Sequence, residues 1–371
     1  ITVTPYANGC TGIPQTFTIT VQPDPVVTAT VSGSFGSVPM SSGNTYNMTI
    51  CSGDAVTTTY PSSTSINPAA CGILWTNMVY TTSISTLPPV QTYNVPLPYP
   101  GLPVPPATTI TPQNLDGVPR DITFVGTPYY DADASGTLTT GDVQGLPVTY
   151  VLTVNPAGQV NKPADQSVCN NALTTEVIFA TGNTGGTTTY AWTNNHTSIG
   201  LGASGNGNIP AFTAVNTGTS PVTATLTVTP TFTNNGISCT GSSKTFTITV
   251  NPTPVLTSTL TPAAICNNTV FHYTPASSTA GTSFAWSRAV VAGISNPAGS
   301  GTGDPAETLV NTTNAVVAVT YVYALSATGC TNPATYNVVV NVNPTPDLTL
   351  TITSPTGAVL NAGGTTAYTQ T

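Results

Sequence analysis

The chain has 371 residues, with 34 Pro, 33 Gly and only 4% charged residues, against about 25% charged in an ordinary soluble domain. Helical bundles and coiled coils need Ala, Glu, Lys, Leu and Arg in bulk, and ordinary disorder needs low hydrophobicity with high charge, whereas 39% of this chain is apolar. A net charge of −8 from 4 basic and 12 acidic residues, with Arg120, Lys162, Lys244 and Arg288 scattered along the chain, excludes nucleic-acid binding and attraction to anionic membranes. No run of about 18 apolar residues is present, so no membrane insertion is expected.

A repeated strand ending runs along the chain. Thr16-Phe17-Thr18-Ile19-Thr20-Val21 stands before Gln22-Pro23, and Thr149-Tyr150-Val151-Leu152-Thr153-Val154 before Asn155-Pro156. Thr245-Phe246-Thr247-Ile248-Thr249-Val250 precedes Asn251-Pro252, and Thr335-Tyr336-Asn337-Val338-Val339-Val340-Asn341-Val342 precedes Asn343-Pro344. Alternating apolar residues and Thr give the period of a half-buried strand. The Pro that follows cannot donate to a ladder and stops it.

The endings predict an all-β chain of tandem immunoglobulin-like sandwiches, each about 90–100 residues long. The expected domains are a C-terminal part of a module over 1–24, full modules over 25–160, 161–254 and 255–346, and an N-terminal part over 347–371, as in a window cut from a longer array. The module over 25–160 is longer than the others. Trp75, Trp192 and Trp286 each follow a Cys within their module (Cys51, Cys169, Cys266), as core Trp residues of such sandwiches do.

One early and one late Cys per module suggest Cys169–Cys239 and Cys266–Cys330. The 25–160 module has no late Cys where the repeat puts one, near Val143, and carries Cys71 instead, which suggests Cys51–Cys71. Cys10 is left unpaired in this window. Disulfides of this kind point to an extracellular compartment.

Residues 131–142 read as a calcium loop. Asp131, Asp133 and Ser135 supply alternating side-chain oxygens and Gly136 allows the turn. Thr137 offers its carbonyl, Thr139 its hydroxyl or a bridging water, and Asp142 closes the shell around Ca²⁺. Catalytic signatures such as Gly-x-Ser-x-Gly and H-E-x-x-H are absent, and no enzyme activity is expected. The Gly-x-Gly-x-x-Gly at Gly200, Gly202 and Gly205 lacks the strand–helix setting of a dinucleotide site and reads as a flexible loop. Asn47, Asn195, Asn267 and Asn311 stand in sequons.

Taken together, Val168-Cys169-Asn170-Asn171, Trp192-Thr193-Asn194-Asn195, Gly207-Asn208-Ile209-Pro210-Ala211-Phe212-Thr213, Pro221-Val222-Thr223-Ala224-Thr225 and Asn251-Pro252-Thr253-Pro254 resemble the PKD-like, immunoglobulin-like repeats of giant surface adhesins of gliding bacteria, exported by the type IX system. The likeness is fullest over 161–254, continues over 255–345 and thins over 25–160. It implies a structural stalk of a secreted adhesin filament at the cell surface, serving attachment or gliding motility. Its expected partners are neighbouring modules of the same chain. Two alternatives are a filament subunit assembled by strand complementation with other subunits, and a module that binds surface glycans.

Overall fold

The computed structural model describes residues 1–19, 21, 24–59, 66–67, 71–78, 84–85, 93–96, 108–133, 135 and 138–347. Among the described residues all regular structure is β-strand except one 3-10 turn, Thr197–Ile199. Contacts divide the chain into two compact units, Ile1–Val215 with Thr223–Thr249, and Asn216–Val222 with Val250–Thr371.

The first unit opens with two short pairs, Thr2–Val3 with Gln15–Thr16 and Tyr6–Ala7 with Cys10–Thr11. The strand expected over 16–21 stops at Thr16, and Phe17, Ile19 and Val21 are exposed. No facing layer covers them among the described residues.

A complete sandwich follows. One sheet runs in the order Tyr93–Pro96, Cys71–Met78, Arg120–Tyr130, Val148–Asn155, Thr45–Cys51. The other runs Thr108–Ile110, Val56–Thr59, Val26–Gly33, Gly36–Ser41. Ala29, Val31, Met40 and Val56 from the second sheet share one core with Met48, Ile50, Ile122, Tyr150, Leu152 and Val154 from the first. Alternation produces this directly: in Val148–Asn155 every second side chain is buried up to Val154, and burying aliphatic area supplies about 25 cal/mol per Å².

The next sheet runs Gln166–Cys169, Lys244–Asn251, Val222–Asn234, Thr187–Asn194, Ser204–Asn206, with Ile237–Thr240 paired to Val222–Asn234. Its second layer is irregular, tied by the bridges Leu173↔Thr213 and Val177↔Ile209. Phe179 of that layer meets Phe246 of the sheet at 6.4 Å between ring centroids. Thr lines the wet face in cross-strand pairs: the Thr223 and Thr249 hydroxyls lie 2.9 Å apart and those of Thr233 and Ser238 also 2.9 Å, which suits β-branched polar residues in a pleated sheet.

The second unit carries the sheet Ile265–Cys266, Cys330–Asn343, Val317–Ala327, Ser283–Arg288, Gly299–Thr302, and the separate pair Thr269–Phe271 with Glu307–Leu309. Phe271 and Leu309 of the pair join Trp286, Tyr321, Tyr323, Val338, Val340 and Val342 in one core. The Arg288 side chain is fully buried. It donates from Nε to Glu307 Oε2 at 2.8 Å and from Nη2 to Glu307 Oε1 at 2.9 Å and to the Pro297 carbonyl at 2.7 Å. Tyr321 donates its hydroxyl to Glu307 Oε2 at 2.6 Å. Hydrogen bonding from Arg288 is the main reason that the Glu307 carboxyl is held below its usual range.

The Pro stops act as expected: Val148–Asn155, Lys244–Asn251 and Cys330–Asn343 end just before Pro156, Pro252 and Pro344. Trp192 and Trp286 are core residues, each 7% exposed; the side chain of Trp75 lies outside the described residues. Opposite the two indoles stand glycines, in the registers Trp192↔Gly205 and Trp286↔Gly301. A Cβ at Gly205 would come within 2.3 Å of the Trp192 ring, and one at Gly301 within 2.9 Å of the Trp286 ring. The glycine motif read as a flexible loop thus contains, at Gly205, a strand position that makes room for a core Trp.

Gly205→Ala should therefore lower stability by about 1–3 kcal/mol through overpacking, measured by urea unfolding of the full chain. Acid should loosen the sandwich over 255–346. A carboxyl with a depressed native pKa contributes stability above its unfolded value, about 4.3, and loses it as pH falls below that. Glu307→Gln should remove that acid-dependent part, as followed by hydrogen exchange of Val317–Ala327 at pH 3 and pH 6.

Candidate functional site

Parallel pairing of an early strand with the last strand of its sandwich sets the site. Thr45–Cys51 runs parallel to Val148–Asn155, and its final residue Cys51 stands opposite Asn155. Both lie where the chain leaves for the next sandwich. The hairpin Val222–Asn234/Ile237–Thr240 of that next sandwich turns through Asn235 at φ 50° and Gly236 at φ 75°. Two successive positive φ values are what a type I′ turn requires, and Asn-Gly supplies them at least cost.

Cys51 is bonded to Cys239 of this hairpin, with Cα atoms 5.4 Å apart. The expected Cys51–Cys71 and Cys169–Cys239 pairings are thereby corrected, and the Cys71 side chain lies outside the described residues. The expected Cys266–Cys330 pairing is corrected as well: Cys266 has a free, exposed thiol, while Cys330 and Cys169 are disulfide-bonded. Geometry explains the failure of the one-bridge-per-module scheme. Cys330 begins the 14-residue strand Cys330–Asn343, and Cys266 stands opposite its other end, Asn343. At about 3.3 Å per residue the two are roughly 40 Å apart, far beyond the 4.4–6.8 Å between Cα atoms that a disulfide spans. Cys10 is free and exposed.

Amide hydrogen bonds reinforce the bridge. Asn155 donates from Nδ2 to the carbonyls of Asn234 at 3.1 Å and Ile237 at 3.4 Å, and accepts from Asn234 Nδ2 at 3.0 Å. The Gly158 N–H reaches the Cys239 carbonyl at 3.1 Å, and the Thr184 N–H reaches that of Gly117 at 2.8 Å. Asn183 accepts from the Gln159 N–H at 2.6 Å and donates to the Ala157 carbonyl at 3.2 Å. Bonds of this number on both sides of the short Pro156-Ala157-Gly158 connector fix the angle between the two sandwiches.

A second recurring device is a buried Asn in each sandwich. Asn114, Asn216 and Asn311 are 6%, 5% and 3% exposed. Each donates to the carbonyl four residues on (Val118, Ser220, Ala315) at 2.8–2.9 Å and to that of the last strand's final Val (Val154, Val250, Val342) at 2.7–2.9 Å. Each side-chain oxygen accepts from the N–H two residues on, the Asx-turn geometry. Asn311 is therefore a core residue, although its triplet reads as a sequon. The repeated Val-Asn-Thr at 215–217 and 310–312 is the sequence signal for this device.

The acidic loop lies between Arg120–Tyr130 and Val143–Gln144, with the register Tyr130↔Val143. The Gly145 N–H bonds to the Pro128 carbonyl as the Gly241 N–H bonds to that of Pro230, so Val143 holds the place that Cys239 holds opposite Phe232. Carboxylate oxygens of Asp131, Asp133 and Asp142 lie within 4.8 Å of one another. The Ser135 N–H donates to Asp131 Oδ1 and Asp133 Oδ1, both at 3.0 Å, and the Thr139 hydroxyl to Asp133 Oδ2 at 3.0 Å and Asp142 Oδ2 at 3.1 Å. Hydrogen bonds from Ser135 hold the Asp133 carboxyl below its usual range, and those from the Thr139 and Ala132 N–H groups do the same for Asp142. Thr137 and Gly136 lie outside the described residues.

Replacing Asn114, Asn216 or Asn311 by Asp should cost as much as replacing it by Ala, about 1–3 kcal/mol. A carboxylate keeps the acceptor of the Asx turn but cannot donate to the two buried carbonyls. Equal losses for N216D and N216A in denaturant unfolding would bear this out.

Residues 263–346 match the family model described as PKD-like domain. No curated protein matches the chain. Among solved structures, the eight N-terminal immunoglobulin domains of Down syndrome cell adhesion molecule align with a TM-score of 0.38 and 11% identity, over 86% of this chain and 40% of that one. A three-domain titin segment, I67–I69 in an E-to-A variant, aligns with a TM-score of 0.32 and 10% identity, over 86% of this chain and 99% of the other. The chain thus spans less than half the length of the first of these. No helix among the described residues is long and apolar enough to cross a membrane. The chain has the fold of tandem immunoglobulin-like, PKD-like β-sandwiches.

Proposed function

We propose that the chain is a structural stalk segment of a secreted surface adhesin, a filament of PKD-like modules that carries a distant tip away from the cell for attachment or gliding motility, exported by the type IX route. The observation that carries this reading is the bridge from Cys51 to Cys239. A disulfide that closes a sandwich on itself stabilises one domain. A disulfide that ties the exit of one sandwich to the hairpin of the next keeps the joint from lengthening under tension. The surface suits a passive spacer, with 4% charged residues overall and Thr lining the wet strand faces. Oxidised cysteines fit an extracellular compartment. Negative-stain electron microscopy of the full chain should show short, straight particles with beads in line, and compact globules would overturn the reading.

The 131–142 loop belongs to the same design as a calcium clasp. Asp131, Asp133 and Asp142 offer three converging carboxylates, with Ser135 and Thr139 as neutral oxygens and the Thr137 carbonyl as a further ligand, the hard-oxygen set that Ca²⁺ takes. It occupies the hairpin position that carries Cys239 in the following sandwich, so bound calcium would stiffen an end that has no cysteine there. Calcium at about a hundred times its dissociation constant should add about 2.7 kcal/mol to the stability of this sandwich. Calorimetry should detect binding to the full chain, lost in Asp131→Ala/Asp133→Ala. A heat signal indifferent to calcium and to chelator would remove the clasp and leave the stalk.

A further inference from the structure

Six of the seven cysteines, all but Cys71, fall into two structural classes, each with oxidised members and one free member. The first class ends the early strand of a sandwich. Cys51 stands opposite Asn155 in a parallel pair, and Cys266 stands opposite Asn343 in the same register of the same kind of pair. Cys169 ends the strand Gln166–Cys169, which lies beside Lys244–Asn251. The second class sits on the strand that leaves a type I′ turn. Cys330 follows Thr328 at φ 49° and Gly329 at φ 78°, and Cys10 follows Asn8 at φ 50° and Gly9 at φ 79°. Cys239 lies two residues beyond the corresponding place, on the same face of its strand. Cys51, Cys169, Cys239 and Cys330 are oxidised; Cys266 and Cys10 are free and exposed.

The residue opposite the first-class cysteine also recurs. Asn155 binds the hairpin carbonyls of Asn234 and Ile237. Asn251 reaches the carbonyl of Thr328, in the turn that leads to Cys330, at 3.5 Å. Asn343 is the third member of this series, and among the described residues its side chain has no hydrogen-bond partner.

We propose that Cys266 and Asn343 form the open half of a further staple, and that its partner is the type I′ hairpin cysteine of another module of this kind. Cys10, free and exposed after its own type I′ turn, is a hairpin half of this kind, and a second copy of this chain can present it to Cys266. The Cys266 thiolate first attacks a small-molecule disulfide such as oxidised glutathione, forming a mixed disulfide and releasing one thiol. The hairpin thiolate then attacks the Cys266 sulfur and expels the second thiol. Two protein thiols are oxidised, one small disulfide is reduced, and two protons pass with the released thiols. The Asn343 amide selects the partner by bonding to the turn carbonyls beside the incoming cysteine, as Asn155 does beside Cys239.

This deepens the stalk reading by specifying how successive pieces join. It is tested by mixing equal amounts of isotopically light and heavy full-length protein in a glutathione redox buffer, followed by non-reducing electrophoresis and mass spectrometry of linked peptides. The expected result is a ladder of covalent oligomers whose dominant link is Cys10–Cys266 with mixed isotopes. The ladder should be lost in Cys266→Ser and in Cys10→Ser. Asn343→Ala, which keeps both thiols, should lower the share of Cys10–Cys266 links relative to Cys266–Cys266 links. Statistical pairing of the two thiols, glutathione capping alone, or links only within one copy would overturn the proposal. Straight particles in the microscope together with any of these would leave the stalk reading standing.

Discussion

Parallel pairing of the entry and exit strands is the constraint from which the junction follows. In an antiparallel pair the two strands put their final residues at opposite ends of the sheet. Here Thr45–Cys51 and Val148–Asn155 run the same way, so the last residue of the early strand and the last residue of the module arrive together at the exit. A cysteine at that point is too far from its own module's hairpin to bond with it, and close to the hairpin of the module that follows. The bridge between Cys51 and Cys239 is a result of topology before it is a result of chemistry.

What could be read from the sequence were the periodic features. Strand endings over 149–154, 245–250 and 335–342 alternate between core and solvent, and the Asn-Pro that follows stops each ladder, because these are properties of single residues in sequence. The place of the missing cysteine was also legible, since Val143 takes the Cys239 register. The disulfide pairing was not. In a repeat every early cysteine has the same relation to its own late cysteine as to the next one, apart from one added period, so spacing alone leaves the two schemes open. Strand direction decides between them, and strand direction is a property of the sheet.

The buried asparagines were hidden for a different reason. In a chain rich in Thr and Asn, a triplet such as Asn311-Thr312-Thr313 reads as a surface sequon. Burial reverses its meaning: a primary amide has two donors and an acceptor, and Asn311 uses all of them on the Ala315, Val342 and Thr313 backbones. Hydrophobic patterning does not report polar residues placed in a core, which is tolerable only when every donor is satisfied. The two glycine and tryptophan pairs show the same limit from the other side. Gly205 looked like loop chemistry until its register opposite Trp192 showed it to be a space for an indole.

The acidic loop and the hairpin cysteine can then be read as two answers to one mechanical problem. The hairpin at the entry end of a sandwich meets the exit of the one before it, and a tie there holds the joint. Where the turn is short, as at Asn235-Gly236, a cysteine beside it reaches the preceding exit and a covalent bond does the work. Where the turn is lengthened to residues 131–142, the equivalent position is Val143 and no sulfur is available. A longer loop costs more conformational entropy to order, and its three carboxylates repel one another unless the Ser135, Thr139 and Ala132 N–H groups, or a cation, hold them. The module with Val143 at the hairpin-cysteine position is thus also the one that places Asp131, Asp133 and Asp142 at that same end.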